Sequence, residues 1–138
     1  MESEKTNIGV SKTARWAGYI LSGIASLFLL ADAIGKFVRP DVVVKGTIEL
    51  GYNESVIFPL GLMLLVSTLL YIWPRTAVIG AILLTGYLGG AVATHVRIGN
   101  PLLTHILFPV YLGVILWAGI YFRDMRVRDL IPLRNMPN

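Results

Sequence analysis

The sequence contains no cysteine. That absence removes thiol–disulfide chemistry, iron–sulfur clusters, thiolate zinc sites and thiolate haem ligation. Charge is scarce too. Asp, Glu, Lys and Arg make up 14% of the 138 residues, against about 25% in an ordinary soluble domain. Two histidines, His95 and His105, are the whole supply of imidazole. A metal or haem site would therefore start from two ligands with no third at metal-site spacing.

What remains is largely apolar: 55% of residues are hydrophobic and the mean hydropathy is +0.69. The ionisable residues are clumped and leave four long apolar runs, 16–38, 55–73, 77–98 and 102–122. About 20 apolar residues rising about 1.5 Å each match a hydrocarbon core about 30 Å thick. The pattern predicts an all-α integral membrane protein, one domain built as an antiparallel bundle of four transmembrane helices. The first run is not read as a cleaved signal peptide, because it is long, carries Asp32 and Lys36, and is followed by no small-residue cleavage site.

The net charge of +4 follows from residues at helix ends rather than from a nucleic-acid surface. Lys5, Lys12, Arg15, Arg75, Arg123, Arg126, Arg128 and Arg134 fall on one side, and Lys36, Arg39, Lys45 and Arg97 on the other. The positive-inside bias then places the tails 1–15 and 123–138 in the cytoplasm. Trp16, Tyr71, Trp73, Trp117 and Tyr121 collect near that inner interface, where amphipathic rings prefer to sit. Pro74 in "YIWPRTA" and the "IGNP" turn make two tight hairpins. Only 39–54 is long, and its "VVV" and "TIEL" stretches have strand character, fitting a small hairpin or a re-entrant cap.

On the first helix Gly18, Ser22, Ala25, Leu29, Asp32 and Lys36 share one face, with small residues that allow close approach. Gly86 and Gly90 repeat the small-residue spacing on the third. At 100° per residue, Arg97 falls with those glycines, whereas His95 falls with Leu84, Leu88 and Ala91. If the glycine face packs inward, Arg97 enters the interior and His95 turns to another neighbour or to headgroups.

The stretch "PRTAVIGAILLTGYLGGAVATHVRIGN" (74–100) resembles the DoxX-like family of small four-helix bacterial membrane proteins. "DAIGKFVRP" (32–40) is similar to that family's first-helix ending, and "LGYNESVIFPLGLMLLVSTLL" (50–70) to its second helix. The resemblance implies a multi-pass protein of the bacterial cytoplasmic (inner) membrane. In some members it implies association with thiosulfate:quinone oxidoreductase or with thiol and oxidative-stress enzymes; the missing cysteines set this chain apart from the thiol-linked chemistry.

Every Asp, Lys, Arg and His inside the predicted spans lies in the outer third. Such groups are costly at mid-depth, about 2.5–3.5 kcal/mol each on insertion scales. Asp32 and Lys36 are spaced i, i+4 with the acid first, the better order for an ion pair. They are either a snorkelling lysine with its companion or a fixed pair at a pocket floor. His95 and His105 lie at one depth on adjoining helices and can serve haem, a metal, a small ligand or the interface. Tyr87 and Tyr111 are phenols inside spans that need partners, from backbone, Thr85 or Thr94, or from a quinone head group. The expectation is a polar pocket opening outward, lined by Asp32, Lys36, Arg97 and His105 with His95, and lidded by 39–54. It belongs to a non-catalytic component binding a small ligand or a partner oxidoreductase among membrane lipids, alone or as a homo-oligomer. A quinone-linked subunit fed electrons by a partner is the second reading. A small transporter is the third, disfavoured because the inner two-thirds of the spans hold no ionisable relay.

Overall fold

A computed structural model describes residues 9–131. Lys5 and Arg134, which enter the charge asymmetry, lie outside the described residues, as do 1–8 and 132–138 of the two tails. Helix α1 covers Lys12–Val38, α2 Asp41–Glu49, α3 Ile57–Ile72, α4 Ala77–Arg97, α5 Phe108–Arg123 and α6 Met125–Leu130. A single 3-10 turn, Glu54–Val56, leads into α3, and a π-helical turn, Leu102–Ile106, leads into α5. With those turns included, four helical stretches among the described residues are long and apolar enough to cross a membrane.

Those four close into a ring in which α1 packs on α3 and α5, and α4 packs on the same two. Glycines bring backbones together across α1–α5 at Gly18 and Gly119 and across α3–α4 at Gly80. The apolar core runs down the middle through Ala25, Leu29, Leu64, Tyr71, Leu84, Leu116 and Ile120. Outward-facing Ile, Leu, Val and Phe are exposed along every helix, as a lipid-facing surface requires. The predicted small-residue stripe on α1 is buried at Gly18, Ser22, Ala25 and Leu29. A β-carbon at Gly18 would stand 2.7 Å from the Gly119 carbonyl and 2.8 Å from the Arg123 nitrogen. Only glycine lets α1 and α5 come that close.

The two ends of the ring differ. The start of α1 and the end of α5 lie at one, called here the terminal end. There Tyr71 is fully buried, and is not the interfacial aromatic its position in the sequence suggests. Its hydroxyl donates to the Leu116 carbonyl at 2.7 Å and receives the Ser22 hydroxyl at 3.0 Å, tying α3 to α5 and α1. The Arg123 guanidinium lies 5.5 Å from the Tyr71 ring centre and 5.7 Å from that of Tyr19. Thr76 donates to the Leu70 carbonyl at 2.7 Å and locks the α3–α4 hairpin. Trp16 and Trp73 do face outward at this end.

At the opposite end the 39–54 connection is helical where strand character was expected. Arg39 ends α1 in the left-handed region at φ 55°, and its amide donates to the Gly35 carbonyl. Pro40 then fixes the entry to α2, and Asp41 places a carboxylate on its first turn, where the helix dipole favours it. The β-branched Val42, Val43 and Val44 carry only a weak penalty against helix, which tertiary packing overrides. Val43, Gly46, Thr47 and Leu50 recur on one side of α2 and are partly buried against the bundle. The cap reading holds; the hairpin reading does not.

Candidate functional site

Beneath α2 lies a partly open cavity of about 580 Å³ bordered by α1, α3, α4 and the start of α5. Its lower walls are apolar: Phe28, Leu29, Leu60, Met63, Leu88, Phe108 and Leu112. Its polar groups are Asp32, Lys36, Thr47, Tyr52, Tyr87, Thr94 and His95. A mostly apolar hollow with a few placed polar groups is the ordinary form of a small-molecule site.

The space exists because of glycine. Gly86 and Gly90 line the cavity, and a β-carbon at either would meet nothing within 4 Å. The predicted glycine packing face is therefore a wall facing a void. Although that face does turn to the hollow, at the end of α4 it is His95 and not Arg97 that joins the cavity wall. Arg97 does not line the cavity; it donates to the Leu50 carbonyl at 2.7 Å and sits 5.6 Å from the Tyr52 ring centre. It holds the end of α2 in place. His95, sharing the Leu84–Leu88 side, is the histidine in the cavity wall.

Asp32 and Lys36 make an ion pair at 2.5 Å. The lysine side chain is 16% exposed and the aspartate 39%, so the pair opens into the cavity with the acid as its more accessible half. Lys36 is steadied from behind: a β-carbon at Gly61 would lie 2.9 Å from the Lys36 Cβ, so α3 lies flush against the stem. Tyr52 donates to the Thr94 hydroxyl at 2.7 Å, and Thr94 passes its own proton to the Gly90 carbonyl at 2.9 Å. Asn100 donates to Nδ1 of His95 at 2.7 Å, which leaves the ring proton on Nε2 in the neutral form. Tyr87 has no hydrogen-bond partner among the described residues, since Thr85 takes Trp117 and Thr94 takes Tyr52. A phenol inside a membrane span with no protein partner is an open donor and acceptor aimed at whatever fills the cavity.

The other two candidates stand outside. His105 is exposed on the π-helical turn, bonded to Thr104 at 2.8 Å, with its ring centre 5.7 Å from that of His95. It is one ring removed from the cavity. Tyr111 is exposed on the outward face of α5. Among the described residues, no three His, Cys, Asp or Glu side chains come together as metal ligands. Sequence reasoning missed Tyr52 and Thr47. The signal for Tyr52 was the preceding glycine: Gly51 adopts φ 82°, and a side chain there would press on Arg97, 3.0 Å from Nη2. The turn at Gly51 swings Tyr52 over the bundle.

No curated protein and no solved structure matches the chain. The model of the DoxX-like family does match, over residues 20–119. That span takes in α2, α3, α4, most of α1 and α5, and every residue of the cavity wall, so the chain is a multi-pass membrane protein belonging to the DoxX-like family.

Proposed function

We propose that the protein binds a small amphiphilic molecule in the cavity under α2, with its polar head at Asp32, Lys36, Tyr87 and His95 and its apolar body against α3, α4 and α5. The observation carrying this reading is the free hydroxyl of Tyr87 beside a fixed ion pair, in a hollow kept open by Gly86 and Gly90. The concave shape, walled by α1, α3, α4 and α5 and roofed by α2, favours a small molecule over a partner oxidoreductase as the occupant. At the terminal end Tyr71 is fully buried and bonded across three helices, which favours binding over transport. The basic residues around that end, with Trp16 and Trp73, support an orientation in the bacterial cytoplasmic membrane with both termini inside and α2 outside.

The test is extraction in mild detergent followed by native mass spectrometry. Wild-type protein is expected to carry a bound mass that is absent from Gly90→Phe, a variant with open space for the ring. Equal ligand content in both proteins would overturn the reading. A quinone-type head group is the second reading, favoured by the Nε2 proton of His95 and the phenol of Tyr87, two donors for carbonyl oxygens on one wall. Electrons would come from a partner. Co-extracted quinone lost on His95→Ala would select it.

A further inference from the structure

A second hollow of about 760 Å³ lies on the outer side of the α4–α5 seam. Its walls are almost wholly apolar, from Val92, Gly113 and Val114 down to Trp117, Phe122 and Val127. The indole N–H of Trp117 is taken by the Thr85 hydroxyl at 2.9 Å, so it offers no donor to an occupant. Along α5 the groove runs from Pro109 to Phe122, about 20 Å at the rise of an α-helix. That is longer than one leaflet's half of a hydrocarbon core about 30 Å thick.

Leu88 and Pro109 line both this groove and the cavity under α2. The two hollows are thus divided by a single layer of side chains. The layer is thin at one point: Leu88 lies over Gly113, where even a β-carbon would come no nearer than 3.9 Å to its methyl. Helix α4 is hollowed on both sides, since Gly89 borders the groove and Gly86 and Gly90 the cavity, each with nothing within 4 Å of a β-carbon.

We propose that the ligand is a lipid with a single long hydrocarbon chain and an uncharged, oxygen-rich head, and that its chain leaves the cavity sideways past Leu88 to lie in the α4–α5 groove. This rests on the cavity being the head-group site. The head is uncharged because Asp32 and Lys36 already balance one another; a net charge placed beside them in low dielectric would go unpaired. The chain is long because the groove is long, dry and open to the membrane. Entry from the lipid then needs only a turn of Leu88, with α2 left in place.

The probes are a monopalmitoyl glycerol with a diazirine at the chain end and its monobutyryl homologue, each bound to the purified full-length protein. Photolysis of the long probe is expected to label α5 between Gly113 and Phe122. Gly89→Phe fills only the groove and is expected to weaken the long probe by about tenfold while leaving the short one unchanged. Gly90→Phe fills the cavity and is expected to abolish binding of both. Labels confined to Leu60 and Met63, or an unchanged affinity of the long probe for Gly89→Phe, would overturn the sideways route and leave the cavity reading standing. Undiminished binding of both probes to Gly90→Phe, or no saturable binding of either to wild type, would overturn both.

Discussion

The two ends of this bundle are built from the same residue types and do opposite things with them. At the terminal end a tyrosine is fully buried, with its hydroxyl bonded to two other helices, and glycines are pressed against backbone. At the α2 end a tyrosine hydroxyl has no protein partner among the described residues, and glycines face open space. A phenol or a glycine in a membrane helix therefore carries no fixed meaning. What decides it is whether a neighbouring helix fills the adjacent volume. Where it does, the residue cements the fold; where it does not, the same residue makes room for something else.

Matched substitutions can break or sharpen that contrast. The largest effect is expected at Tyr71. Tyr71→Ala should cost about 3–5 kcal/mol of stability in mixed-micelle denaturation, and Tyr71→Phe about 1–3 kcal/mol, because Ser22 and the Leu116 carbonyl lose their partner. Tyr87→Phe should change stability by no more than about 0.5 kcal/mol while reducing retention of the bound amphiphile. Equal costs for the two phenylalanine variants would erase the distinction between the ends.

The glycines give a difference of sign. Gly18→Ala should destabilise by about 1–3 kcal/mol through overpacking against α5. Gly86→Ala should stabilise by up to about 1 kcal/mol, since the methyl meets nothing and alanine is the better helix former. Thermal midpoints measured side by side check this. A smaller and more local effect is expected from Arg97→Gln, which removes the bond to Leu50 and the stacking on Tyr52. Hydrogen exchange should rise across 41–52 by the equivalent of about 1 kcal/mol, with the rest of the bundle unaltered. The smallest effect belongs to His105→Ala, which should leave ligand content unchanged where His95→Ala lowers it.

The bundle and its polar end were legible in the sequence because both follow from one-dimensional periodicity. Four runs of the right length, and Asp32 four residues before Lys36, specify spans and a pair whatever surrounds them. The cavity was less legible because it depends on rotation and on empty volume. Gly86 and Gly90 have the spacing of a packing motif, and nothing in the string says that no helix comes to meet them. The choice between His95 and His105 turned on the same rotation, and on the π-helical turn that carries His105 outward. Helix α2 was misread through Val42–Val44, whose strand preference is worth only tenths of a kcal/mol each and yields to packing over the bundle. Tyr71 was misplaced because a tyrosine near a span's end reads as interfacial unless its partners, Ser22 and Leu116, are known to lie opposite.

Helix α2 has no fully buried residue of its own; its two flanks are joined to each other by Arg39 and Glu54, and the segment is tied to α4 by Arg97 on Leu50 and by Tyr52 on Thr94. Detaching it would break a few surface bonds and leave the four-helix frame untouched. The head-group site would thus meet the aqueous side on a timescale set by those few bonds, while the hydrocarbon chain keeps its own sideways route past Leu88, independently of how slowly the transmembrane scaffold itself breathes.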